Sequence, residues 1–213
     1  MASTKGEIVL AEAVGLGRVE STQPMRLDSI FRIYSMIKAI TSVAVMQLVE
    51  REEISLDAPI SKYLPEFEFV RVATTEQIQG TPNSAVSIPT VRDLLGYGKI
   101  RGVRLLKEET VREMARDHLP VNAFPISVNG QKRNDVGFGL GFSVVVEGIP
   151  GSEYVPRGEY GWGGAASTHF WISPKDELAV VVLSQIKPFT FQWESAVKPI
   201  VYAAIRQDRM YER

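Results

Sequence analysis

Polar and apolar positions follow two periods along this chain. The spacing predicts a strand over residues 7–17, where Ile8, Val9 and Leu10 are followed by Gly15 and Gly17 at bend or close-packing positions. Residues 35–52 repeat at helical spacing, with Ala39, Val43, Met46 and Val49 on successive turns. That apolar stripe is wide, which predicts a largely buried helix. A short helix is expected between breakers over 55–65, a strand over 67–72, and a short helix opened by Pro89 over 89–95. An amphipathic helix follows over 107–118. Strands are predicted over 136–147, 160–173 and 177–185, and a closing helix over 191–209 with Pro199 as a local irregularity. Residues 20–28, 74–87 and 96–102 read as loops. A strand, then helices, then consecutive strands and a last helix imply an α+β fold: an antiparallel sheet flanked by helices. The late strands have connections too short for a helical crossover, so they pair antiparallel.

Bulk properties narrow the function. The 213 residues suffice for one domain, 1–213, with a sizeable core. The net charge is −1, from 24 basic and 25 acidic residues, which points to neither nucleic acid nor a strongly charged surface as partner. The absence of cysteine removes disulfides and thiolate metal sites. His118 and His169 lie far apart without metal-ligand spacing, so no metal and no cofactor is expected; each reads as a helix-end or surface residue. No apolar run reaches transmembrane length, and residues 1–6 lack a signal-peptide core. The expectation is a chain with no membrane partner, cytoplasmic as given.

The chemically pointed stretch is Ser35-Met36-Ile37-Lys38. Residues three apart share a helix face, so the Lys38 amine can reach the Ser35 hydroxyl. A serine hydroxyl is a poor nucleophile at neutral pH, and an amine whose charge is disfavoured by burial can take its proton. The S-x-x-K pattern occurs three times, as Ser35/Lys38, Ser184/Lys187 and Ser195/Lys198. Ser184 ends an apolar strand, where the i,i+3 argument fails. Ser195 and Lys198 precede Pro199 with nothing nearby to suggest a pocket. Only the first copy opens a long apolar helix after a Tyr-led turn. By themselves these residues leave open a surface Ser and Lys at a helix start.

Six segments, read together, resemble the serine β-lactamase-like superfamily, nearest to class C β-lactamases and family VIII carboxylesterases. They are residues 27–41, 54–67, 88–95, 102–114, 137–142 (Gly137-Phe138-Gly139-Leu140-Gly141-Phe142) and 160–174. They span most of the chain in the family's order. S-x-x-K is the first of three sequence elements of such enzymes. The resemblance implies that Ser35 is the acylated nucleophile and Lys38 its proton acceptor. Trp162-Gly163-Gly164 falls where β-lactamases carry K-T-G, and family VIII esterases often have W-x-G there. The resemblance implies that this strand lines the pocket, and that the Ala165 N–H joins that of Ser35 as an oxyanion hole. By itself Gly163-Gly164 also suits a β-bulge.

Two departures matter. The family's second motif, Y-x-N or Y-x-S, has no match: no tyrosine here is followed two residues later by Asn or Ser. Ser127-Val128-Asn129 fits S-x-N formally but precedes Gly130 and reads as a hairpin turn. The helical subdomain that carries the motif is expected to be deleted near 95–102, a truncated β-lactamase/penicillin-binding-protein-like fold. Tyr97 and Tyr160 are the candidates for the missing proton relay, and each also reads as an ordinary loop or strand tyrosine. A surface that relatives cover with helices would be exposed, which predicts a homo-oligomer. The expected activity is that of a serine hydrolase cleaving small esters through an acyl-serine, with weak short-chain binding in an open site. The alternatives are β-lactamase or penicillin-binding activity on a β-lactam substrate, or a non-catalytic self-associating remnant.

Overall fold

Two residues with positive φ explain how the N-terminal sheet begins. The computed structural model describes residues 1–18, 20, 22–69, 106–119, 124–128, 131–149, 152 and 154–211. Strand β1, Ala2–Thr4, turns back through Lys5 (φ 49) and Gly6 (φ 86) into β2, Glu7–Leu10. Positive φ at both central residues gives the two-residue hairpin whose twist matches its strands. The pattern over 7–17 showed only the second arm. Beyond Leu10 the chain leaves the ladder, and Leu16 makes only a lone bridge with Pro24.

A 3-10 turn, Tyr34–Met36, leads into helix α1, Ile37–Glu50. The helix expected over 55–65 is instead two 3-10 turns, Ile60–Lys62 and Pro65–Phe67. The second turn also displaces the start of the strand expected over 67–72; residues 70–72 lie outside the described residues. So do the loop over 74–87, the helix over 89–95, the loop over 96–102, Tyr97 and the junction near 95–102. Helix α2 is Glu108–Met114, with Glu108 and Glu109 in its first turn, where acidic side chains favour the helix dipole.

Strands β3 (Ile126–Val128) and β4 (Gln131–Arg133) form a separate antiparallel pair; Asn129 and Gly130 lie outside the described residues. The strand expected over 136–147 splits into β5, Val136–Phe138, and β6, Ser143–Val145, because Gly141 (φ 100) turns the chain between them. The stretch over 160–173 likewise splits into β7, Tyr160–Gly164, and β8, Thr168–Ser173, with Ser167 (φ 57) in the turn. Strand β9, Leu178–Val182, precedes helix α3, Gln192–Tyr211, which contains Pro199.

The main sheet has the order β2-β1-β9-β8-β7-β6-β5, antiparallel throughout. It is the expected α+β arrangement, with helices on both faces. One core joins Val43 and Met46 of α1 and Met114 of α2 to Phe142, Val144 and Tyr160. The second joins Ala2, Trp171, Leu178 and Val180 to Tyr202 of α3. Period-two alternation explains the division: on β8, Trp171 belongs to the α3 core while Ile172 packs against the α1 core. Among the described residues no helix is long and apolar enough to cross a membrane.

Candidate active site

The turn that carries Ser35 is held from three directions. The Ile33 carbonyl accepts from the Met36 N–H at 3.1 Å and from the Thr168 hydroxyl of β8 at 3.3 Å. Gln185, beyond β9, accepts from the Arg32 N–H at 3.3 Å and donates to the Arg32 carbonyl at 3.1 Å. From β7, Gly164 presses so close that a Cβ there would stand 2.2 Å from the Ile33 oxygen. Glycine at 164 is therefore a packing requirement. Between these anchors Tyr34 adopts φ 46, a left-handed backbone uncommon for a bulky residue and frequent at functional sites. Lys187 lies 4.7 Å above the Tyr34 ring, and its hydrogen bond, helped by Arg32, draws the phenol below its ordinary pKa.

Ser35 and Lys38 meet as their spacing predicts: Lys38 Nζ donates to Ser35 Oγ at 3.1 Å. Ser35 is half-buried but Lys38 is exposed. The burial invoked from sequence to free the amine is thus not present in this chain. The other two S-x-x-K copies serve structure. Ser184 Oγ lies 2.8 and 2.9 Å from the carbonyls of Ala166 and Ser167, steadying the β7–β8 turn. Lys198 is buried in a charged cluster, contrary to the reading that its surroundings held no pocket.

A cavity of about 350 Å³ is lined by Ser35, Tyr160, Trp162, Gly163, Gly164 and Ala165, together with Ser143, Phe170, Trp171, Phe189, Phe191 and others. The structure therefore gathers Ser35 and the residues expected of the pocket strand around one space, while Lys38 touches it through Ser35. Trp162 stacks edge-on against Phe138, with ring centroids 5.0 Å apart. Tyr160 is 5% exposed and packs in the α1 core, its ring 5.0 Å from that of Phe142. Among the described residues, no group of three or more His, Asp or Glu side chains could hold a metal ion.

The polar wall of the cavity was missed from sequence. His169, expected at a helix end or surface, is 1% exposed on β8. Its Nδ1 lies 3.0 Å from Glu194 Oε2 and its Nε2 lies 2.9 Å from the Thr190 carbonyl. Lys198 Nζ donates to Glu194 Oε1 at 2.6 Å and Glu159 Oε1 at 2.7 Å, and Tyr202 donates to Glu159. Burial pushes the Glu194 carboxyl up, but His169 and Lys198 outweigh it and hold the group at about 2. Burial dominates at Glu159 and raises it despite Lys198. Burial would lower the Lys198 ammonium, yet its two carboxylates raise it. The i,i+4 spacing of Glu194 and Lys198 was the available signal.

The model of the family described as Beta-lactamase matches residues 1–77 and 71–201. The chain belongs to the Beta-lactamase family. Among its relatives, esterase EstB of Burkholderia gladioli is 48% identical over 62 residues, 29% of this chain and 16% of the esterase. The serine beta-lactamase-like protein LACTB, mitochondrial, of Homo sapiens is 28% identical over 125 residues, 54% of this chain and 22% of LACTB. These curated relatives are thus matched over about a fifth of their length or less. Two solved structures share the fold. EstCE1, a hydrolase with promiscuous acyltransferase activity, superposes with TM-score 0.70 at 14% identity, covering 94% of this chain and 92% of that one. The LovD9 mutant of simvastatin synthase from Aspergillus terreus gives 0.73 at 15% identity, covering 97% and 94%. Relatives of the chain are thus named as an esterase and as a β-lactamase-like protein, and its fold is shared with a hydrolase that has promiscuous acyltransferase activity and with simvastatin synthase.

Proposed function

We propose that this chain is a serine hydrolase that cleaves small esters through an acyl-Ser35 intermediate. The observation that carries the reading is the 3.1 Å contact between Lys38 Nζ and Ser35 Oγ at the edge of a cavity shared with Ala165. With its amine neutral, Lys38 takes the Ser35 proton as Oγ attacks the ester carbonyl. The N–H groups of Ser35 and Ala165 receive the charge that forms on the carbonyl oxygen, an effect worth about 3 kcal/mol for one donor. The C–O bond to the alcohol breaks, and the alcohol leaves with the proton. Water then cleaves the acyl-serine and restores the free hydroxyl.

By the resemblance, Trp162-Gly163-Gly164 stands where β-lactamases carry K-T-G and family VIII esterases often carry W-x-G, which supports an ester over a β-lactam. Self-association belongs to this reading. Ile30, Ile37 and Ile40 are 99%, 50% and 54% exposed around the Ser35–Lys38 turn. So does a single domain over 1–213 that lacks the helical subdomain.

Incubation with a fluorophosphonate ester and intact-mass measurement tests the assignment. One adduct on the parent protein and none on Ser35→Ala is expected. No adduct on either would replace the hydrolase with a catalytically silent, self-associating relic of the fold.

A further inference from the structure

The pairing of β7 is asymmetric. On one side β8 matches it fully, from Tyr160↔Ile172 to Gly164↔Thr168. On the other, β6 pairs only through Ser143↔Gly161 and Val144↔Tyr160, so the edge over Trp162–Gly164 carries no β6 partner. Successive residues of a strand face opposite sides of its sheet. Gly164 faces the Ser35 turn, where a Cβ would meet Ile33, whereas Gly163 faces Phe189, whose Cε2 lies 2.9 Å from its ideal Cβ position. The cavity includes residues of both faces, Ser35 and Ala165 on one and Phe189 and Trp171 on the other. It therefore rounds the edge of β7 that, among the described residues, β6 leaves unpaired.

The far end of this space is aromatic and electrically settled. Phe189 and Phe191 stand edge to face with ring centroids 4.9 Å apart. The charged groups there are already paired: Lys198 with Glu159 and Glu194, Glu194 with His169, and Arg133 with Asp135 at 2.5 Å. Among the described residues lining this end, a ligand carboxylate would meet two carboxylates of the protein and no cation without a partner, and would lose its hydration on entry. An uncharged ring would lose nothing of that kind and would gain aromatic contact. A volume of about 350 Å³, walled by aromatic rings on one part and by closed ion pairs on another, is within the range of small-molecule sites.

We propose that one arm of the substrate is a bulky, uncharged aryl group that rounds the open edge of β7 and rests against Phe189 and Phe191. The inference rests on the hydrolase reading for the word substrate, and on the cavity alone for the aryl site. It replaces the sequence expectation of short acyl chains held weakly in an open site.

The test has two arms. In the first, the protein is titrated with N-phenyl-1-naphthylamine, a neutral aromatic fluorophore that needs no catalysis. Saturable one-to-one binding is expected, weakened about tenfold or more by Phe191→Glu. Phe191 is 40% exposed, so that substitution charges the aryl site without opening a core. In the second, kcat/KM is compared for p-nitrophenyl acetate, p-nitrophenyl phenylacetate and the mono-p-nitrophenyl ester of succinic acid, and likewise for 2-naphthylmethyl and ethyl acetate, whose leaving alcohols are similar in acidity. At least one aryl ester is expected to exceed its short counterpart by tenfold, the succinate to be the poorest of its series, and Phe191→Glu to collapse the aryl preference. Probe binding that depends on Phe191 without any ester turnover would sustain the site and sink the hydrolase. Ester turnover with no aryl preference and no probe binding would sink the site and leave the hydrolase standing. Preference for the succinate ester would overturn the neutral character of the site.

Discussion

The Ile33 carbonyl is the small group on which this site turns. It accepts from Met36 and from Thr168, and it occupies the space a side chain at 164 would need. These contacts bring the turn before α1 against the β7–β8 hairpin, and Ser35 with it. Lys38 then reaches Ser35 through one turn of helix. Its amine is the proton acceptor of the proposed reaction, and without it the hydroxyl keeps its proton at neutral pH. Lys38→Ala should therefore lower kcat by about a hundredfold or more, the usual contribution of a positioned base. Fluorophosphonate labelling should slow in parallel, and the melting temperature should barely move because Lys38 is exposed. A labelling rate equal to that of the parent would remove Lys38 from the mechanism. At this scale the sequence was largely readable: the i,i+3 spacing in Ser35-Met36-Ile37-Lys38 carries the contact. The exposure of Lys38 was not readable, because it depends on what other elements leave uncovered.

Among the elements, β7 is the most constrained. Three of its five residues are glycine, and at each a Cβ would approach a neighbour closer than 3.0 Å: Phe170 O at 161, the Phe189 ring at 163 and Ile33 O at 164. Two of those neighbours are backbone and cannot swing aside. Gly164→Ala should force the Ser35 turn away from β7. The expected cost is about 1–3 kcal/mol, as for other overpacked sites, with a loss of labelling at Ser35 larger than the loss of folded protein. A folded Gly164→Ala variant with parental labelling would show that the close approach is dispensable. Apolar and polar patterning located α1, α2, β9 and α3 to within a few residues. It ran β5 into β6 and β7 into β8, because the turns at Gly141 and Ser167 lie inside apolar stretches and interrupt no alternation. It missed β1 because three residues carry no period.

At the scale of the whole molecule, α3 is tied to the sheet by charge as well as by its apolar core. Glu194 and Lys198 of α3 meet His169 of β8 and Glu159 beside β7, with Arg133 nearby acting on Glu194. Glu194 titrates near 2 in the folded chain against 4.5 ordinarily. Its folded value is depressed, so its contribution to stability is fully present above about pH 4.5 and is lost as the pH falls toward 2, at most about 3 kcal/mol. Glu159 is shifted the other way by burial and opposes this in part. Urea unfolding should show Glu194→Gln less stable than the parent at pH 7, with the gap narrowing by pH 3. A gap independent of pH would mean that Glu194 acts by packing alone.

The exposed isoleucines around the Ser35 turn, and the edge strand β2 with Ile8 and Val9 61% and 60% exposed, make a second prediction at this scale. Light scattering at micromolar concentration should give a particle larger than one chain, and Ile37→Lys with Ile40→Lys should return it to monomer. A monomeric parent would end the self-association reading.

The sequence by itself determined the local facts: the positions of the long helices, the Ser35–Lys38 contact and the glycines that permit close approach. Each depends on residues within a few positions of one another, where backbone geometry leaves few choices. Only the tertiary structure decided the rest. Residues from 33 to 202 converge through sheet pairing, and no local rule sets which of them meet. That convergence turned His169 from a surface residue into a buried partner of Glu194, made the third S-x-x-K copy part of a cavity wall, and left Lys38 in the open.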